Sequence, residues 1–409
     1  MKIAQVCPYN IFRSGGVQAH IRNLAKELRG RGHEVKIIAP KVEGVSERNK
    51  DLILLGNCSE FRINRTQIEI SIAMGQTKNP IKDILKKENF DILHFHEPWA
   101  PALSMQILCE SESGNVGTFH SASPDTFVAR SIEALFMPIA KYVVNALDAV
   151  IAVSEVPTKF IREFYKGSIE IIPNGIDLEM FNKRSEPFSR YLDGKINIFF
   201  IGRLDKRKGV IYLLKAFRRL KKKNDNVRLI IGGKGEELKK VKRYCRKYRL
   251  EDVEILGYIK EEDKPRFFST CDIFCSPALY GESFGIVLVE AMASGKPVVA
   301  YANSGYKSVL KGRGALLLVE PKDVKGLMEK LEILAQDEML RDFMGEWGIM
   351  ESKKYSWKNI CNQVLEVYEK ALERKKQDVR DKAKLNIKDT LRRWYDKLNG
   401  KLSGKYHQI

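Results

Sequence analysis

Short apolar runs alternate with amphipathic stretches from one end of the chain to the other. KIAQVCPY, HEVKIIAP, FDILHFH, NVGTFH and DAVIAVS are apolar enough to read as buried strands. Between the first two, VQAHIRNLAKELRGRG carries Val17, Ile21, Leu24, Ala25 and Leu28 at helical spacing and stops on Gly30 and Gly32. This β-α-β rhythm predicts a mostly parallel sheet covered by helices. It restarts near Lys195 with INIFFIGRL and the helical VIYLLKAFRRLKK, followed by NVRLIIGG, VEILGY, CDIFCSP, GIVLVEAMAS, PVVA and ALLL. Two doubly wound α/β domains accommodate this pattern better than one long sheet, and 409 residues are many for one domain. The expected domains are 1–175 and 176–356, joined at the turn chemistry of Pro173-Asn174-Gly175. A helix over 357–375 and a basic tail over 376–409 complete the chain.

Hydrophobic residues make up 44 % of the chain, enough for a core in each half. No run reaches the roughly 20 apolar residues that span a bilayer. The opening MKIAQVCPY has no charged leader region. The expectation is a cytoplasmic protein, peripheral at the inner face of the cell membrane. The seven cysteines are scattered, and the only close pair, Cys271 and Cys275, lies in a strand pattern. Without a second pair or nearby histidines this pair does not read as a zinc site. The net charge of +19 suits anionic membranes, phosphorylated substrates or nucleic acid. Residues 374–409, with 12 Lys/Arg and 4 Asp/Glu, supply +8 of it. No nucleic-acid-binding motif accompanies the charge, so no nucleic-acid partner is expected.

In open α/β sheets, ligands bind at the carboxyl ends of strands, over helix amino-termini. Three places present suitable residues there. Gly15-Gly16-Val17 follows the first strand and opens the first helix, either as a plain turn or as a close approach to a phosphate. Gly202-Arg203-Leu204-Asp205-Lys206-Arg207-Lys208-Gly209 sets several cations at the end of INIFF, where a diphosphate fits as well as water does. In GESFGIVLVEAM, Glu282 and Glu290 are separated by seven residues, and the apolar run predicts a buried helix beginning near Phe284. A carboxylate inside such a helix is costly unless hydrogen-bonded, which points Glu290 towards a ligand.

The Glu-x7-Glu stretch, the R-x4-K after a strand, the GG loop and PNGID together resemble the family 4 retaining glycosyltransferases of GT-B fold, over residues 1–375. Within that family CPYNIFRSGGVQAHIRNLAKELRGRGHEV, LHFHEPWAPALSM and GTFHS are most similar to the phosphatidylinositol mannosyltransferases. The resemblance implies two Rossmann-like domains facing across a cleft, with a carboxyl-terminal helix crossing back to the first. It also implies hexose transfer with retained configuration: mannose from GDP-mannose to a phosphatidylinositol-type lipid at an anionic membrane surface. A glucosyl- or galactosyltransferase shares every one of these motifs. A non-catalytic membrane or nucleic-acid-binding protein would have no need to keep Arg203, Lys208, Glu282 and Glu290 together.

By the same resemblance Arg203 and Lys208 hold the donor diphosphate and Glu290 its ribose. Glu282 and the backbone at Phe284 and Gly285 address the transferred sugar, and the helix start places the backbone N–H groups around Ser283 to Ile286 towards a donor phosphate. His120 stands beside the sugar, Gly16 packs on the diphosphate, and Tyr9 and Gln18 hold the inositol phosphate headgroup. Relatives use no metal, and the chain has no Asp-x-Asp motif, so neither metal nor cofactor is expected beyond the nucleotide sugar itself. His94 and His96 alternate on a strand and so share a face; His94 is read as structural and His20 as a surface or packing residue. The segment 78–87, where relatives carry a densely basic membrane helix, is diluted here by Pro80 and Asp83. In the tail Val379, Ala383, Ile387, Leu391, Trp394, Tyr395 and Leu398 recur at helical spacing among cations. That pattern predicts either an amphipathic helix lying on a membrane or one docked on the protein body.

Overall fold

The computed structural model describes residues 1–13, 15–42, 50–63, 66–72, 80–100, 103–121, 139–373, 383–390 and 392–393. The chain divides into two compact units, Met1–Pro173 with Ile360–Ile409, and Asn174–Asn359.

The first unit is built on a sheet of β1 (Lys2–Val6), β2 (Glu34–Lys41), β3 (Leu52–Ile63), β4 (Thr66–Ile72), β5 (Ile92–His96), β6 (Gly114–Phe119), β7 (Ala149–Ala152) and β8 (Ile169–Ile171). Their order is β4-β3-β2-β1-β5-β6-β7-β8, and every neighbouring pair is parallel except β3 with β4. The parallel centre explains why KIAQV and ILHFH read as near-continuous runs: a strand covered on both faces has no solvent side to keep polar. The β3–β4 pair is missing from the sequence reading because Asn57, Ser59, Glu60 and Arg62 interrupt its apolar pattern. The helix Gly16–Gly30 buries Ile21, Leu24, Ala25 and Leu28, most of the predicted stripe. In the helix Trp357–Glu373, Ile360, Cys361, Val364, Val367, Tyr368 and Ala371 are buried at three- and four-residue spacing.

Of the two readings of the tail, its described part takes the docked one. Residues 383–390 are helical, but Ala383 and Ile387 are buried in the first unit's core, which also holds Leu108 and Cys109. Lys384 donates to the Ser111 carbonyl, and Lys388 pairs with Glu110 at 3.0 Å. An apolar stripe spent on the body is not available to lipid, so this segment is a docked helix. Val379, Leu391, Trp394, Tyr395 and Leu398 lie outside the described residues.

The second unit is a six-stranded, wholly parallel sheet in the order β11-β10-β9-β12-β13-β14. Its strands are β9 (Ile196–Ile201), β10 (Val227–Gly232), β11 (Val253–Gly257), β12 (Ile273–Ser276), β13 (Val298–Tyr301) and β14 (Leu318–Val319). Of ALLL only Leu318 is in a strand; Gly312–Leu317 forms a 3-10 turn instead, in which a Cβ at Gly314 would stand 2.4 Å from the Trp347 ring. The sheet order changes direction at β9, whose two neighbours are β10 and β12. Ligands collect at the carboxyl ends of strands at such a switch point.

Candidate functional site

In the second unit, β9 ends at Ile201 and the chain turns through a 3-10 segment, Lys206–Lys208. Three adjacent cations make a poor turn by themselves. The Asp205 carboxylate caps it, accepting from the Lys208 N–H at 3.0 Å. The capped turn aims Arg207 and Lys208 at a single acceptor. Glu282 Oε1 lies 2.7 Å from the Arg207 guanidinium and 2.8 Å from Lys208 Nζ. Arg207 also donates to the Gly281 carbonyl at 2.8 Å. The Glu282 side chain is only 10 % exposed, so this charge cluster is weakly screened by water. Its backbone is clamped from behind: a Cβ at Gly305 would stand 2.1 Å from the Glu282 carbonyl oxygen.

The helix predicted near Phe284 begins at Ile286 and runs to Ala293. Gly285 precedes it with φ +99°, a left-handed conformation that favours glycine and delays the helix by two residues. Phe284 is buried against Tyr355. Glu290, on this helix, is buried, with Oε1 3.6 Å from Lys264 Nζ and Oε2 without a hydrogen-bond partner. Burial pushes its carboxyl up, and the Lys264 charge opposes that shift. A buried oxygen lacking a partner is what a ligand hydroxyl satisfies. Arg203 is exposed at the end of β9. Of the residues singled out from sequence, Lys208 and Glu282 are in direct contact, together with Arg207, while Glu290 lies beside Lys264 on the helix that Gly285 and Ile286 open. Arg207 was visible as one of four cations in a loop, but its pairing with a residue 75 positions away has no sequence signal.

In the first unit the residues of interest form a buried hydrogen-bonded chain. His94 and His96 lie on β5, Thr118 on β6 and Gln5 on β1, adjacent in the parallel register. Burial lowers the His94 ring to about 3 and holds His96 well below the usual histidine range, so both are neutral. Neutrality fixes the donors. Gln5 Nε2 donates to the Tyr368 hydroxyl at 2.9 Å, and that hydroxyl donates to His94 Nδ1 at 2.7 Å. His94 Nε2–H then donates to Thr118 Oγ1 at 2.6 Å. His96 Nε2–H donates to Gln5 Oε1 at 2.7 Å, which leaves His96 Nδ1 as acceptor for His120 Nε2–H at 3.0 Å. The His120 backbone N–H donates to Glu97 Oε1 at 2.8 Å. Glu97 is buried in a left-handed conformation, φ +49°, a strained state for a residue with a side chain.

Of the two readings of His20, surface or packing, the second holds: it is buried, its ring edge-on to His96 and His120 at 5.4 and 4.7 Å. One nitrogen from each of His20, His96 and His120 lies within 4.8 Å of the others, a spacing that a metal ion can bridge. The trio includes His20 in place of the His94 weighed from sequence, whose two nitrogens meet Tyr368 and Thr118. Gln18 is buried, donating to the Asn10 carbonyl at 3.3 Å, and Tyr9 is half-buried, its carbonyl accepting from Cys7 Sγ. Gly16 is exposed at the first position of its helix.

Residues 14–180 match the family model of Glycosyltransferase Family 4, and residues 182–349 that of Glycosyl transferases group 1. The phosphatidyl-myo-inositol mannosyltransferase of Mycobacterium leprae is 30 % identical over 370 residues, covering 90 % of this chain and 96 % of its own length. That of Mycolicibacterium smegmatis is 31 % identical over 371 residues, covering 90 % and 94 %. The structure of sucrose-phosphate synthase from Thermosynechococcus elongatus superposes with a TM-score of 0.69 at 21 % identity, over 90 % of this chain and 98 % of that one, a likeness of fold. With GT-B neighbours and full-length relatives at this identity, the chain belongs to the family 4 glycosyltransferases, its second unit being their group 1 transferase domain.

Proposed function

We propose that this glycosyltransferase moves mannose from GDP-mannose, with retained configuration and without a metal, to a phosphatidylinositol-type lipid. The observation that carries the reading is the meeting of Arg207, Lys208 and Glu282 at the end of β9, ahead of the Ile286–Ala293 helix. It occurs in a chain 30 % identical to phosphatidyl-myo-inositol mannosyltransferases. Without donor, Glu282 is the counter-ion of both cations. A diphosphate takes Lys208, Arg207 and the exposed Arg203 as its own partners, and the backbone N–H groups at Gly285 and Ile286 add to them. Glu282 is then free to accept from a sugar hydroxyl, and Glu290 Oε2 from the ribose.

As the bond from C1 to the diphosphate oxygen breaks, negative charge grows on that oxygen, where fixed cations stabilise it most. The acceptor hydroxyl oxygen bonds C1 on the same face, and its proton passes to the departing phosphate. His120 is a proposed contact of the transferred sugar, and Tyr9 and Gln18 of the acceptor headgroup. The test measures thermal stabilisation by GDP-mannose against UDP-glucose and UDP-galactose. It also measures mannose transfer to phosphatidylinositol in mixed vesicles. Stabilisation and transfer with GDP-mannose support the assignment; stabilisation by a UDP-sugar alone overturns the donor, and turnover with a different lipid overturns the acceptor.

A further inference from the structure

Three of the protein's six histidines meet at one place in the first unit. His96 is the last residue of β5, and His120 directly follows β6, its neighbour in the sheet. His20 is carried in by the Gly16–Gly30 helix. The two strand ends are tied together. The His120 N–H donates to the Glu97 carboxylate at 2.8 Å, and the Glu97 N–H to the Thr118 carbonyl at 2.8 Å. Side chains mounted on strands and helices in this way hold their mutual geometry better than side chains on loops.

A tetrahedral Zn²⁺ ion binds imidazole nitrogens at about 2.0–2.1 Å, which sets the ligand nitrogens about 3.3 Å apart and the ring centroids about 5 Å apart. Here the centroids of His20 and His96, His20 and His120, and His96 and His120 are 5.4, 4.7 and 5.3 Å apart. His96 Nδ1 and His120 Nε2 are 3.0 Å apart, and one nitrogen from each of the three rings lies within 4.8 Å of the others. Closing on an ion therefore asks for at most about 1.5 Å of side-chain rotation.

The ring orientation is fixed as well. His96 Nε2–H donates to Gln5 Oε1 at 2.7 Å, which leaves the Nδ1 lone pair facing His120. A metal-binding histidine gives its second N–H to an oxygen in the same manner. Moving the His120 proton from Nε2 to Nδ1 turns the second nitrogen of the pair into a lone-pair donor as well, with the ring still neutral. The donor set selects the ion: three imidazoles suit zinc and its late transition-metal neighbours, whereas Mg²⁺, Mn²⁺ and Ca²⁺ take oxygen. We propose that His20, His96 and His120 form a binding site for a Zn²⁺ ion, with water as the fourth ligand. The ion is not a cofactor of transfer. By taking the His120 ring it withdraws that ring from the transferred sugar and inhibits; this consequence, unlike the site, rests on the sugar contact proposed for His120.

The test titrates the full chain, reduced and stripped of metal, with Co²⁺ and then Zn²⁺. One equivalent of Co²⁺ gives the intense visible absorption of a tetrahedral ion, without a thiolate charge-transfer band, and Zn²⁺ displaces it. His20→Ala and His120→Ala each weaken binding by more than about 100-fold, beyond the roughly 10–100-fold that losing a ligand's hydrogen-bonding partner costs. His33→Ala, outside the trio, binds as the wild type does. Circular dichroism of the metal-free variants matches the wild type, so a lost affinity is not a lost fold. Weak octahedral absorption, a thiolate band, or wild-type affinity in His20→Ala overturns the site. Transfer that continues at the metal-free rate with Zn²⁺ bound leaves the site standing and removes His120 from the sugar.

Discussion

Tyr368→Phe removes one oxygen from the centre of the first unit and leaves two buried groups without partners. The hydroxyl accepts from Gln5 Nε2 at 2.9 Å and donates to His94 Nδ1 at 2.7 Å, and Tyr368, Gln5 and His94 are fully buried. Phenylalanine fills nearly the same volume, so the loss is polar. Each stranded group costs about 1–3 kcal/mol, giving roughly 2–6 kcal/mol together. Because the chain has two units, a single global melt does not isolate the effect. Hydrogen exchange on peptides covering β1 and β5 reads the first unit by itself. Exchange of their protected amides should speed up by about 30-fold at the lower end of that range, while peptides from β9 and β12 stay unchanged. An acceleration below about threefold in β1 and β5 would refute the two hydrogen bonds through that hydroxyl, on which the chain from Thr118 to His120 depends.

Acidification should weaken the first unit through the same histidines. His94 has its folded value lowered from 6.5 to about 3, so the unfolded chain takes up a proton first as pH falls through 6.5. Stability is then lost between 6.5 and about 3, by about 1.4 kcal/mol from His94 between pH 7.5 and 5.5, and His96 shifts in the same direction; denaturant titrations at the two pH values check it, and equal midpoints contradict it. Glu282→Ala and Lys208→Ala should each lower turnover by about 10²–10³-fold with the circular dichroism of the wild type, and near-normal rates in either would remove the residue from the site. Ile387→Ala should cost about 2–4 kcal/mol in the first unit, seen as a lower unfolding midpoint; a change within error would mean the tail helix does not hold there in solution.

Much of the architecture was legible because it rests on periodicity. Strands buried on both faces have to be apolar throughout, and a covering helix has to repeat at three and four residues, so KIAQV, ILHFH, INIFF and the stripe from Ile21 to Leu28 declare themselves locally. The glycines and cations at the strand ends were legible for the same reason: Gly285 and the cations from Lys206 to Lys208 are local solutions to a turn and a charge. The tertiary structure decided what depends on residues far apart in sequence. Glu282 meets Arg207 across 75 positions, His94 meets Tyr368 across 274, and Ile387 enters a core it shares with Leu108. An amphipathic stripe states only that a surface must be covered, and at Ala383 and Ile387 it is covered by protein. Charge behaves alike: the +19 total is plain in the composition, but only the fold shows which cations have found a carboxylate, as Lys221 has in Asp252 and Lys223 in Glu332. Pairing and burial are long-range energies, and the local sequence does not encode the distance over which they act.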